Sequence, residues 1–148
     1  MGSRNTRGVE SPAAGNHPIA LIGSAQEWSS RALGSLLQAK GYEVLLAHTG
    51  EATRKQARAS HPDIILLDTT LTDIDDLDLC RALRDDPLVA PRTPIITLSE
   101  APPTADQRLA ALEAGASGVL SPPLHVEEVY RTVDAVVGAT RAANEGSK

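Results

Sequence analysis

The sequence predicts an α/β sandwich in which one five-stranded parallel sheet is wound on both sides by helices. Three observations carry this. Short apolar runs alternate five times with longer stretches of helical periodicity. The central run, "DIILLD", is apolar without alternation, as in a parallel strand covered on both faces. The connections between runs are short, which suits consecutive strand–helix units.

The first strand is "IALI", Ile19–Ile22. It leads into "EWSSRALGSLLQAK", where Trp28, Ala32, Leu36 and Leu37 are assigned to one helical face. Gly41 stops that helix. "EVLLA" is the second strand, and "TGEATRKQARAS" a more polar helix starting near Glu51. "DIILLD" is the third strand. Asp76 is expected to cap the third helix, "LDLCRALR". "PIITLS" is the fourth strand. "TADQRLAALEAG" is the fourth helix, with Thr104 as N-cap and Gly115 past its end. "GVLS" is a short fifth strand. The last helix, "HVEEVYRTVDAVVGA", aligns Val126, Val129, Tyr130, Val133, Val136 and Val137 in one stripe.

This makes residues 18–142 one domain. Residues 1–17 are rich in Gly, Ser, Asn, Pro and Arg and read as a disordered arm or cloning remnant. Residues 143–148 read as a flexible tail. Aromatics are 2% of the 148 residues and Phe is absent, so the core must be built from Leu, Ile, Val and Ala. The net charge of −5 has both signs interspersed, which favours neither nucleic acid nor an anionic membrane. The single cysteine, Cys80, allows no internal disulfide and reads as a small core residue. No apolar run reaches about 18 residues. A cytoplasmic protein is expected.

In parallel sheets of this kind, ligands sit outside the carboxyl ends of the strands. Asp68 ends the third strand there. Gly23 and Ser24 follow the first strand, Ser99 the fourth, and Ser121 and Pro122 the fifth. The fold rule alone brings these positions to one edge.

The segments "GYEVLLAHTGEA", "PDIILLDTTLTDIDDLDLCRALR", "TPIITLSE" and "LAALEAGASGVLSPPL" resemble the receiver domain of two-component response regulators. The resemblance runs from about His17 to Ala139. It implies a flavodoxin-like (βα)5 fold with strand order 2-1-3-4-5. It also implies that Asp68 is the phosphoacceptor, that the Thr70 carbonyl helps hold Mg²⁺, and that Ser99 binds a phosphoryl oxygen. A cis peptide before Pro123 fits the same family pattern. Two acidic residues after the first strand and a lysine after the fifth belong to that pattern as well. Here Gly23 and Ser24 stand at the acidic pair, and Pro122 at the lysine. Val119 stands at the usual aromatic position.

Phosphoryl transfer depends on positioning and charge neutralisation. Loss of one charge contact costs on the order of 3 kcal/mol of transition-state stabilisation. Losing three charged groups should suppress acyl-phosphate formation by several orders of magnitude. One carboxylate with one carbonyl is a poor Mg²⁺ site, so Mg²⁺ binding is expected to be weak or absent. Glu27 and Glu100 lie near this edge. Glu27 reads as a surface acid favoured by the helix dipole, and Glu100 as an exposed loop residue.

Asp73, Asp75, Asp76 and Asp78 read as loop and capping residues rather than a cation site. His17, His48, His61 and His125 lack metal-ligand spacing. Arg54, Lys55 and Arg58 read as a solvated basic face. No Gly-rich phosphate loop or Ser-His-Asp order is present, so no free-standing enzyme is expected.

The expected function is an atypical receiver acting without phosphorylation, as an interaction or dimerisation module. By analogy its contact face lies on the fourth helix, fifth strand and fifth helix, around Arg108, Ala111, Leu120, Glu127, Glu128 and Arg131. A protein partner or homodimer is implied there, with a histidine kinase or fused output domain as further partners, and no nucleic acid or membrane. One alternative is a phosphoacceptor that uses Asp68 with a rebuilt metal site. Another is an enzyme or nucleotide-binding domain sharing the fold alone.

Overall fold

The computed structural model describes residues 17–146. The arm assigned to residues 1–17 therefore lies, except for His17, outside the described residues. The elements are β1 (Ile19–Gly23), α1 (Glu27–Ala39), β2 (Glu43–Ala47), α2 (Gly50–Ser60) and β3 (Ile64–Asp68). They continue with α3 (Asp76–Asp85), β4 (Ile95–Leu98), α4 (Ala105–Glu113), β5 (Gly118–Leu120) and α5 (Val126–Gly146).

The five strands form one parallel sheet in the order β2-β1-β3-β4-β5. This is the 2-1-3-4-5 order. Strand alternation divides the core. Leu21, Ile65 and Leu67 point to the face covered by α2, α3 and α4, where they meet Ala57, Leu79, Leu83 and Ala111. Ala20, Ile22, Ile64 and Leu66 point to the other face, where Leu33 and Leu37 of α1 meet Val129, Val133 and Val137 of α5. Cys80 is fully buried in the first cluster, and that burial pushes its thiol pKa up.

Helix ends follow local chemistry. Thr104 caps α4 in a capping box with Gln107. Gly41 and Gly115 take positive φ after α1 and α4. The cap of α3 is Asp75 rather than Asp76, because the Asp75 carboxylate accepts from the N–H groups of Leu77 and Asp78. Asp76 is instead the first helical residue. The helix α5 continues to Gly146, beyond the 142 boundary, through a run rich in alanine, the strongest helix former.

The face assigned to α1 is also corrected. Its buried residues are Ser30, Leu33, Gly34 and Leu37, the i, i+3, i+4, i+7 positions of one stripe. Trp28 is 75% exposed, Ala32 is exposed, and Leu36 is half-buried. Val126 of the α5 stripe is exposed too.

The basic face of α2 is not simply solvated. Arg58 donates to Asp86 at 2.6 Å, with Arg54 3.8 Å away, and the Asp86 side chain is 1% exposed. The Leu88 N–H and then Arg58 hold the Asp86 carboxyl below its ordinary pKa. A second pin is Arg84, which donates to the carbonyls of Gly115 at 2.7 and 2.9 Å and of Thr93 at 2.6 Å. It ties α3 to the β5 and β4 entry loops.

Two predictions follow from these pins. Arg84→Leu leaves half-buried carbonyls without donors and should lower unfolding free energy by about 2 to 4 kcal/mol in urea titrations. Asp86 has a depressed folded pKa, so its contribution is present above the ordinary carboxylate value and is lost as pH falls through the folded value. Stability should therefore decline below about pH 4, and Asp86→Asn should flatten part of that decline in urea melts across the range.

Candidate functional site

The register places the site. Gly23 pairs with Leu67, and Asp68 with Leu98, so the ends of β1, β3 and β4 are level. Leu98 in turn pairs with Leu120 at the end of β5. The loops that follow these strands share one edge.

Asp68 is held by neutral donors. Ser24 Oγ donates to Asp68 Oδ2 at 2.8 Å, and the Thr70 N–H donates to Oδ1 at 3.2 Å. Ser24 Oγ also accepts from the Gln26 N–H at 3.1 Å. Thr70 Oγ1 accepts from the Ala25 N–H at 3.0 Å. Together these bonds tie the β1–α1 loop to the β3–α3 loop. Ser24 is buried, and its carbonyl lies 3.1 Å from His48 Nδ1. Among the described residues Asp68 forms no ion pair.

Gly23 has a steric role. A Cβ there would meet Thr53 Oγ1 at 2.6 Å. Thr53 is fully buried and donates to the Thr49 carbonyl at 2.7 Å, so α2 sits directly on the end of β1. An acidic side chain at position 23 does not fit unless Thr53 moves.

Ser99 Oγ donates to the Ala101 carbonyl at 2.5 Å, and the Ser99 N–H donates to Leu120 O at 2.8 Å. Its hydroxyl is engaged in its own loop. The Pro122–Pro123 peptide is cis, as the resemblance implies.

The acidic cluster is spread by its caps. Asp73 accepts from the N–H groups of Gly50 at 2.7 Å and Glu51 at 3.1 Å, which lowers its pKa. The β3–α3 loop thus caps α2, a contact that sequence spacing did not reveal. Burial, followed by the neighbouring carboxylates of Asp75 and Asp68, raises the pKa of Asp76. Among the described residues, no three His, Cys, Asp or Glu side chains are placed to hold a metal ion. Glu27 faces Arg31 at 3.2 Å on the surface of α1.

A cavity of about 580 Å³ opens over this edge. Ser24, Asp68, Thr70 and Ser99 line its polar part, and Glu100 is on its wall. Leu33, Leu98, Pro122, Pro123 and Leu124 supply apolar surface. Trp28 closes one side. Its spacing assigns it to one helical face with Leu36 and Leu37. The signal against this was the cleaner stripe of Ser30, Leu33, Gly34 and Leu37.

The model of the response regulator receiver domain matches residues 26–134. The chain belongs to the response regulator receiver domain family of two-component signalling. It is 32% identical over 112 residues to the alkaline phosphatase synthesis transcriptional regulatory protein PhoP of Bacillus subtilis, covering 76% of this chain and 45% of that protein. It is 31% identical over 109 residues to the response regulator MprA of Mycobacterium ulcerans, covering 74% of this chain and 45% of that protein. The chain thus spans less than half the length of these relatives. Among solved structures, a two-component response regulator from Clostridium difficile superposes with a TM-score of 0.73 at 26% identity, over 82% of this chain and 96% of that one. The chemotaxis response regulator CheY4 of Vibrio cholerae shares the fold, with a TM-score of 0.75 at 22% identity over 82% and 99% of the two chains.

The Ser24–Asp68 bond gives a direct test. Ser24→Ala should cost about 1 to 2 kcal/mol in urea titrations, because Asp68 and the Gln26 N–H both lose a partner. Ser24→Asp should be more costly in EDTA, since it sets a second carboxylate against Asp68. Millimolar Mg²⁺ should recover part of that loss.

Proposed function

We propose that this receiver domain is atypical and acts by protein contact without phosphorylation of Asp68. The observation that carries this reading is the electrostatics around Asp68. Its hydrogen bonds come from Ser24 and a backbone N–H, and it has no ion pair among the described residues. Gly23 and Ser24 bring no carboxylate for a metal, and Pro122 brings no cation for a phosphoryl oxygen.

The donor set does not fit Mg²⁺. That ion takes about six oxygen ligands in near-octahedral geometry, usually with more than one anionic group nearby. Here Asp68 is the one carboxylate at the strand ends among the described residues, with Glu100 on the following loop, and its Oδ2 already accepts from Ser24. We therefore assign no metal and no enzymatic activity to the site.

The proposed contact face is α4–β5–α5. On α4, Leu109 and Leu112 are each 55% exposed. Arg108 on α4 and Glu127, Glu128 and Arg131 on α5 are exposed as well. Ala111 and Leu120, assigned to this face from the sequence, are 4% and 2% exposed and belong to the core. They point inward because α4 packs on the sheet through Ala111 and β5 is covered by α5. A protein partner or a second copy of the chain fits a face of exposed apolar and charged side chains. A histidine kinase or an output domain in a longer chain are further proposed partners, and no nucleic-acid contact is assigned to this domain.

Incubation with acetyl phosphate and Mg²⁺ should give no phosphoryl mass gain. A gain that disappears in Asp68→Asn would overturn the reading in favour of a phosphoacceptor with a rebuilt metal site. The contact face has its own test. Leu109→Glu combined with Leu112→Glu should shift the sedimentation-equilibrium mass of a self-associating sample to that of a monomer, while urea stability changes by less than about 1 kcal/mol.

A further inference from the structure

The cavity over Asp68 has a chemistry of its own. Its volume, about 580 Å³, is within the range of small-molecule sites, roughly 300–1,000 Å³. Most of its wall is carbon, from Leu33, Leu98, Leu124 and the Pro122–Pro123 pair. Trp28, 75% exposed, offers an indole surface at the side. An exposed tryptophan beside a cavity is a ready stacking surface for a ring or a cation.

Its charge is one-sided. Among the described residues, Asp68 and Glu100 are the ionisable side chains on the wall, and both are acidic. A carboxylate has about four acceptor sites, and Asp68 uses two of them on Ser24 and Thr70. Acceptor capacity remains toward the cavity, in partly desolvated surroundings where a donor cation gains most. An anion would meet two carboxylates and no basic side chain on that wall.

We propose that this cavity binds a small organic cation: an apolar, ring-containing body with a protonated amine or amidine head set against Asp68. The body lies between Trp28 and the Pro122–Leu124 segment. The head makes the charge-assisted hydrogen bonds that Ser24 and Thr70 leave open. The site rests on the reading that Asp68 is not phosphorylated, because a phosphoryl group there would fill the floor and reverse its preference.

The test uses two probes with one body and opposite charge, 4-phenylbenzylamine and biphenyl-4-carboxylate. Trp28 is the chain's one tryptophan, so its fluorescence reads the site. Amide shifts in two-dimensional NMR locate the binding. The amine should bind at least roughly tenfold tighter than the carboxylate, with shifts confined to the loops after β1, β3, β4 and β5. Asp68→Asn should bring the two probes within about threefold of each other. Trp28→Leu, at an exposed position, should weaken the amine while keeping the preference for positive charge, read by NMR. Equal binding of both probes, shifts elsewhere on the molecule, or no amine binding at low-millimolar concentration would overturn the proposal. Acetyl phosphate treatment of the same sample separates the two readings. Phosphoryl gain on Asp68 sinks the phosphorylation-free receiver, whereas failed amine binding without that gain sinks the cavity assignment alone.

Discussion

Asp68 is half-buried at the end of a core strand with a hydroxyl and an amide as its partners, and the edge of the sheet is arranged around that fact. A carboxylate beside neutral donors is satisfied as a hydrogen-bond acceptor but is not neutralised. Ser24 connects it to the β1–α1 loop, and Thr70 connects that loop back to β3. The β1–α1 and β3–α3 loops enclose a hydrogen-bond network around the carboxylate. Placing more negative charge on Asp68 would add repulsion to Asp76, whose carboxyl already feels the Asp68 charge.

The packing of α2 makes this arrangement hard to reverse. Thr53 occupies the space that a side chain at position 23 would need, and its hydroxyl is committed to Thr49. Gly50 has the same character at the helix start, since a Cβ there would run into Ile74. Asp73 then bonds the N–H groups of Gly50 and Glu51. The close approach of α2 to β1 and of the β3–α3 loop to α2 therefore form one packed unit. Placing an acidic residue at position 23 requires repacking Thr53, so the change is not a matter of one side chain.

Much of this was legible in the sequence because the strands are short, continuous and separated by turn residues. Asp68, Ser24, Thr70, Ser99 and the proline pair come to one wall because every strand is parallel and ends at the same level. What could not be read depended on rotation and on long-range contacts. Trp28 and Leu33 are both apolar, and only the full stripe through Gly34 and Leu37 shows which one faces the sheet. Asp75 and Asp76 are adjacent and chemically identical, so capping is decided by backbone geometry. Asp73 caps a helix 22 residues earlier in the chain, and Arg58 reaches Asp86 across 28 residues. Spacing rules do not extend to such pairs. Ala111 and Leu120 failed as surface residues because analogy supplied the face but not the side-chain direction.

On the reading proposed above, a receiver fold that works without phosphoryl chemistry still has the means to respond to a signal. A ligand or partner shifts a conformational equilibrium only by its differential affinity for the two states. In the usual scheme that difference is made by charge on the aspartate, drawn together by a lysine and a metal. Here the strand edge has an uncompensated carboxylate, a cavity with carbon walls and an exposed indole on the loop-facing side. The Pro122–Leu124 segment joins that cavity directly to α5, which carries half of the α4–β5–α5 face. The β4–α4 loop, with Ser99 and Glu100 on the cavity wall, leads in the same way to α4, where Leu109 and Leu112 are exposed. An occupant of the cavity would therefore touch the chain leading into both helices of that face.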